Sequence, residues 1–271
     1  MFYDKESDFE DDLVAVLKRH GWTDGVLEYP TEQDLIDNWA NILFDSNKGI
    51  DRLNGQRLTK GEMAQILEQI ETLRTPLALN SFINGKTVSI KRDNPADTAH
   101  FGKEISLKIY DRQEIAAGQS RYQIARQPIY PAKNKMLNDR RGDVCLLING
   151  MPVIHIELKK SGIPISQATN QIAKYAHEGV FTGLFRLVQV FVAMNPDDAV
   201  YFANPGEGDF NSNYFFHWAD FNNEPIAANK HVGQDEWKRF TSDLLSIPMA
   251  HRASSGSIRS PIPQTDASKC Y

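Results

Sequence analysis

Three residues of this chain have types and a spacing that could do chemistry: Asp143, Glu157 and Lys159. Residues 153–160 read VIHIELKK, and strand side chains alternate between two faces. Val153, His155, Glu157 and Lys159 therefore share one face, and Ile154, Ile156 and Leu158 share the other. The second face is wholly apolar and must be core. The first sets a carboxylate and an ammonium about 6–7 Å apart along the strand. Asp143 begins the preceding strand, and Asn149-Gly150 between the two is a strong hairpin signal. Folding back there brings Asp143 toward Glu157. Two carboxylates about 4 Å apart repel by roughly 4 kcal/mol at an effective dielectric of about 20. A divalent cation would relieve that repulsion, and Mg²⁺ takes one or two carboxylates, with waters and phosphate oxygens completing its shell. Lys159 would then hold an attacking water or stabilise a pentavalent phosphate. The competing reading is an ordinary hairpin with a solvated charged face.

The register discriminates between them. Paired residue numbers in a hairpin have a constant total. A two-residue Asn149-Gly150 turn pairs Ile148 with Met151, an odd total that sets Asp143 opposite Ile156, on the apolar face. A one-residue slip moves every side chain to the other face. A metal site therefore requires either a three-residue loop or a bulge between turn and site. Pro152, which cannot donate to the ladder, is the natural place for it.

The elements that must position these residues are legible in outline. Ser7–His20 reads as an amphipathic helix with Phe9, Leu13, Val16 and Leu17 on one face. Leu35–Phe44 and Lys60–Leu73 read as two more, the latter entered at Thr59 with Glu62 completing a capping box; Pro76 closes that helical region, about 31–80. Thr87–Lys91, Glu104–Tyr110 and Arg121–Ile129 alternate as half-buried strands do. Asp143–Ile148 and Val153–Lys159 are the strongest strands. Gln167–Ala176 reads as a helix, and the apolar run from Phe181 to Met194 as buried strand, clearest over Leu187–Met194. Strands with helices before and after predict an α/β domain with a mixed central sheet and flanking helices. Residues 1–245 form that domain in this reading; 246–271, Ser- and Pro-rich beyond Ala253, form a disordered tail.

Composition restricts the partners. The chain of 271 residues is 41% hydrophobic and 24% charged, as soluble globular proteins are. Its two cysteines, Cys145 and Cys270, fit free thiols in a reducing cytoplasm. No run approaches the roughly 18 apolar residues of a membrane span, and the acidic residues 1–12 do not resemble a secretion signal. The net charge of −5 weighs against nucleic acid. The basic residues are nevertheless concentrated: Arg112, Arg121, Arg126, Lys133, Lys135, Arg140, Arg141, Lys159 and Lys160 fall together. Gly85-Lys86-Thr87 ends like a phosphate-binding loop, but Asn80 stands where that pattern needs glycine. It reads as a turn into a strand, so this chain is not expected to bind ATP.

The longer pattern is more specific. Gln123 to Gln127, Arg141-Gly142-Asp143, Ile148-Asn149-Gly150-Met151-Pro152, Ile156-Glu157-Leu158-Lys159 and Gln171-Ile172-Ala173-Lys174-Tyr175 closely resemble the N-terminal nuclease domain of the restriction (R) subunit of type I restriction–modification enzymes, within the restriction-endonuclease-like superfamily. The likeness covers roughly residues 2 to 245. It implies Asp143 and Glu157 as Mg²⁺ ligands and Lys159 as catalytic lysine. It implies that Gln171 and Tyr175, one helical turn apart, lie near bound double-stranded DNA; Arg141 and Lys160, from the basic cluster, are candidate DNA contacts beside them. It implies a catalytic glutamate on the first helix: Glu10, with Glu6 as rival. Without the resemblance, Tyr175 reads as core, Glu10 as an acid favoured in a first helical turn, and His155 as a packed histidine rather than a ligand. The resemblance further implies methylation and specificity subunits as partners, and in the full-length subunit an ATP-driven translocase after the nuclease. Two rivals stand beside it: a repair or junction nuclease of the same superfamily acting alone, and a non-catalytic domain that docks on DNA or a partner.

Overall fold

The computed structural model describes residues 1–48, 52–85, 87–109, 120–131, 138–219, 236–247 and 250. Arg112, Lys133, Lys135, Lys86, Tyr110, Cys270 and the tail beyond residue 250 lie outside the described residues. Ile247 and Ala250, in the stretch expected to be tail, pack against the core.

The centre is a seven-stranded mixed sheet. Its strands in spatial order are β1 (Val26–Glu28), β4 (Tyr122–Arg126), β7 (Val144–Ile148), β8 (Met151–Leu158), β9 (Val190–Asn195), β10 (Asp198–Ala203) and β11 (Phe216–His217). β1 lies parallel to β4 and β8 parallel to β9; the other neighbours are antiparallel. A small hairpin of β2 (Thr87–Lys91) and β3 (Glu104–Lys108) and a short pair, β5 (Ile129–Tyr130) with β6 (Arg140–Arg141), stand apart. The mixed α/β architecture is the expected one.

Among the described residues six α-helices flank the sheet. α1 (Glu6–Arg19) buries Phe9, Leu13, Val16 and Leu17, the face its periodicity predicts. α2 (Glu32–Asn47) and α3 (Lys60–Glu71) start at capping boxes, Thr31 with Asp34 and Thr59 with Glu62. Pro76 opens a helix rather than closing the region. It is the first residue of α4 (Pro76–Ile83), with Thr75 as N-cap, a position where a missing N–H costs nothing. α5 (Ile165–His177) contains the predicted 167–176 segment. α6 (Glu236–Leu244) packs Trp237 edge-on to Phe9. The apolar run after Phe181 is not all strand: Gly183–Leu187 is a 3₁₀ turn, and the strand begins at Val190.

β9 shows how the layers form. Val190, Val192 and Met194 join the large core with α1 and α6, whereas Phe191 and Ala193 join a second cluster with Ala168 and Ile172 of α5. Both faces of the sheet are covered there, and every residue of β8 is buried.

Candidate active site

The hairpin resolves the register question. β7 and β8 are joined by a two-residue turn with Asn149 and Gly150 both at positive φ, 51° and 84°, the conformation for which Asn-Gly is suited. Gly150 also approaches Trp39 so closely that a Cβ would lie 2.9 Å from its backbone. Next to the turn Ile148 pairs with Met151 and Leu147 with Pro152, the odd register. The register then shifts: Leu146 pairs with Ile154, Cys145 with His155 and Val144 with Ile156. The expected bulge is present, with Val153 as its extra residue beside Pro152. One step further in the shifted register, Asp143 falls opposite Glu157, on the same face.

That face is enclosed. His155 pairs with Phe191 and Glu157 with Ala193, so both point toward the layer that α5 covers. Glu157 has no exposed surface, which removes the reading of a solvated charged face. Neither of its carboxylate oxygens has a hydrogen-bond partner; the Lys159 ammonium stands 3.5 Å from Oε1 and His155 Nε2 stands 3.4 Å from Oε2. Asp143 is partly exposed and accepts the Leu158 backbone N–H at 2.6 Å. Lys159 donates to the Leu158 carbonyl at 2.7 Å and faces Glu6 at 3.7 Å.

Burial dominates the electrostatics. It pushes Glu157 up to about 7, against the partial relief given by Lys159. Burial and the charge of Glu157 together raise Asp143 well above the usual carboxylate range, while the Leu158 N–H works the other way. An isolated buried carboxylate costs several kcal/mol unless it is paired, protonated or bound to a cation. Both shifts favour the protonated forms, so a cation bound here would compete with protons for the pair.

Gly142 explains why the residue before Asp143 is small. A Cβ there would lie 2.8 Å from the Tyr130 hydroxyl and 2.8 Å from the His155 ring. Tyr130 and His155 are fully buried and bonded through the hydroxyl and Nδ1 at 2.7 Å. Spacing along the chain gives no signal for Tyr130, which reaches the site from a separate short strand.

The other expected residues are distributed around this centre. Gln171 donates to the Tyr175 hydroxyl at 2.8 Å, and Tyr175 donates to the Arg141 carbonyl at 3.0 Å. The pair thus bridges α5 to the strand leading into Asp143. Arg141 and Lys160 are exposed, Arg141 lying over the Tyr29 ring at 5.5 Å. Glu10 is buried, paired with the Arg126 guanidinium and accepting from the Gln127 amide at 3.0 Å. Gln127 in turn donates its backbone N–H to the Asp143 carbonyl at 2.7 Å. Glu10 therefore braces the neighbouring strand, and Glu6 is the first-helix acid that meets Lys159.

The donor set suits a hard divalent ion. Two carboxylates converge, one of them with both oxygens unpartnered. Among the described residues no group of three or more His, Cys, Asp or Glu side chains is gathered for a metal, so an ion held here would complete its shell from water and phosphate, as Mg²⁺ does.

Fold and site together define a mixed α/β domain with an acidic pair, its glutamate fully buried, and a lysine at the end of a central hairpin. Residues 5–210 match the family described as type I restriction enzyme R protein N terminus. The type I restriction enzyme SsaAORF53P endonuclease subunit of Staphylococcus saprophyticus is 32% identical over 230 residues, 83% of this chain and 22% of that subunit. The SauCOLORF180P endonuclease subunit of Staphylococcus aureus is 28% identical over 226 residues, with the same shares. The EcoprrI endonuclease subunit of Escherichia coli is 30% identical over 242 residues, 83% of this chain and 72% of that protein. This chain belongs to the family of type I restriction enzyme R protein N-terminal regions. It spans 22% of the length of the two staphylococcal relatives. No helix among the described residues is long and apolar enough to cross a membrane.

Proposed function

We propose that this chain is the DNA-cleaving domain of a type I restriction enzyme R subunit, and that it hydrolyses phosphodiester bonds of double-stranded DNA with Mg²⁺ held by Asp143 and Glu157. One observation carries the reading: a fully buried glutamate with two unpartnered oxygens lies opposite an aspartate and beside a lysine. The ion would supply an activated water and neutralise developing charge. The Leu158 N–H orients Asp143, and the Leu158 carbonyl and Glu6 hold Lys159 at the rim, where its ammonium can meet a phosphate oxygen or the attacking water. Gln171 and Tyr175 fix the strand entering Asp143, and exposed Arg141 and Lys160 offer charge to the DNA backbone. Glu10 serves by bracing β4, through Gln127, against Asp143.

The expected partners are the methylation and specificity subunits of a type I complex, in the cytoplasm, with ATP used by another part of the full-length subunit. The reading is tested by incubating supercoiled plasmid with the purified chain and Mg²⁺, and in parallel with the complex assembled around the full-length subunit. Nicking that depends on Mg²⁺ and disappears in Asp143→Ala and Glu157→Ala is expected. Cleavage by the complex unchanged in Glu157→Ala would refute it.

A further inference from the structure

Glu157 is not alone in having an unmet bond. The His155 ring is fully buried, and its Nε2 has no hydrogen-bond partner although it stands 3.4 Å from Glu157 Oε2. The ring is fixed by its surroundings. Tyr130, Phe181 and Phe191 surround it with centroid separations of 5.8, 5.3 and 5.9 Å. Its other nitrogen, Nδ1, lies 2.7 Å from the Tyr130 hydroxyl. The absence of a side chain at Gly142 lets these two groups approach.

The proton positions follow from the inventory of donors. A tyrosine hydroxyl donates one hydrogen, and a neutral imidazole donates from one nitrogen and accepts at the other. If Nδ1 carried the hydrogen it would donate to the tyrosine oxygen. The Tyr130 hydrogen would then lack an acceptor in the core, and the Nε2 lone pair would face a carboxylate. Leaving buried groups unmet in this way carries their full desolvation penalty. With Tyr130 donating to Nδ1, the ring hydrogen sits on Nε2 and points at Glu157. A doubly protonated ring also places a hydrogen on Nε2, so the direction of donation does not depend on the charge of the ring.

We propose that His155 is a positioning residue for Glu157: Tyr130 sets its tautomer, and its Nε2–H holds Glu157 Oε2 so that the carboxylate presents itself to the cation. This rests on the reading of Glu157 as a metal ligand. The present 3.4 Å contact is an ion-pair separation that falls short of a formed hydrogen bond. Ligating carboxylates are ordinarily held by such outer partners, whose loss typically weakens metal binding by about 10- to 100-fold.

Two measurements test it. The first is Mn²⁺ binding, followed by electron paramagnetic resonance of the free ion, for the chain and its variants. His155→Met and Tyr130→Phe are expected to weaken binding, His155→Met by about 10- to 100-fold. His155→Gln, whose amide N–H₂ can stand where Nε2 stood, is expected to restore most of it, all with unchanged circular dichroism. Wild-type affinity in His155→Met and Tyr130→Phe, with binding lost in Glu157→Ala, would overturn this proposal alone. Wild-type affinity in Glu157→Ala would overturn the metal reading beneath it. The second is ¹⁵N NMR of the histidine rings in the metal-free wild-type chain, which needs no variant to fold. It should show a protonated Nε2 and a pyridine-like Nδ1 for His155; a hydrogen on Nδ1 with a bare Nε2 would overturn the proposal whatever the metal result.

Discussion

Replacing Glu157 with Gln should stabilise the metal-free protein at alkaline pH. Burial raises the Glu157 carboxyl from its ordinary 4.5 to about 7. The folded chain therefore binds more protons than the unfolded chain across that interval, and stability falls as pH rises through it. The favourable contribution is complete below about 4.5 and gone above about 7. At about 1.36 kcal/mol per pH unit, the cost of ionising this group in the fold is on the order of 3 kcal/mol. Asp143 is raised as well, by burial and then by Glu157's charge, so losing that charge relieves Asp143 too. His155 works in the opposite sense: burial lowers it from 6.5 to about 4, and stability is lost as pH falls through that window. Both proteins contain it, so it drops out of their difference. The assay is urea unfolding in EDTA at pH 5 and pH 8, followed by the fluorescence of buried Trp22, Trp39 and Trp237. Near pH 5 the two proteins should differ little. At pH 8 Glu157→Gln should be more stable by roughly 2–3 kcal/mol. Saturating Mg²⁺ should narrow the gap by stabilising the wild type, by about 2.7 kcal/mol at a hundred times Kd. A wild type equal to or more stable than the variant at pH 8 in EDTA would refute the claim that this carboxylate is buried at a cost that only a cation offsets.

Lys159→Met should abolish plasmid cleavage and, by removing the ammonium 3.5 Å from buried Glu157, lower stability above about pH 7; cleavage at the wild-type rate would refute its role. Gly142→Ala should destabilise the fold by about 1–3 kcal/mol, because its methyl would overpack Tyr130 and His155; an unchanged melt would show that the contact yields freely. Tyr175→Phe should cost about 1 kcal/mol through loss of its bond to the Arg141 carbonyl, measured by the same unfolding assay. Arg141→Ala and Lys160→Ala should weaken binding to any duplex sequence alike and each reduce the salt slope by about 1, measured by fluorescence anisotropy; a sequence-dependent loss would mean that they contact bases.

The central hairpin was the most legible part of the chain because two rules met there. Asn149-Gly150 dictated the turn, and the need for Asp143 and Glu157 to share a face dictated a bulge, which Pro152 helped to place. What the alternation could not show was enclosure. A strand with His, Glu and Lys on one face reads as half-solvated, yet α5 and the Phe191 cluster cover that face, so all of β8 is buried. A proline after a helical stretch reads as its end, but behind the Thr75 cap Pro76 starts a helix. α6 buries Trp237, Phe240, Thr241 and Leu244 at helical spacing, so its amphipathic face is legible in the sequence, whereas the two residues of β11 are too few for alternation to show. β10 follows β9 through a tight turn and is stabilised by pairing and packing, not by local signal. Tyr130 is distant in sequence from both site strands, so only the fold reveals its bond to His155.

The account depends most on one position in space, the gap between the Asp143 and Glu157 carboxylates. Crystals of the wild-type chain soaked in MnCl₂ would test it directly through the anomalous scattering of manganese. The account predicts an anomalous peak bonded to oxygens of both residues, near Lys159 and absent from Glu157→Ala crystals. Full manganese occupancy elsewhere on the protein, with an empty gap between a protonated Asp143 and Glu157, would contradict it.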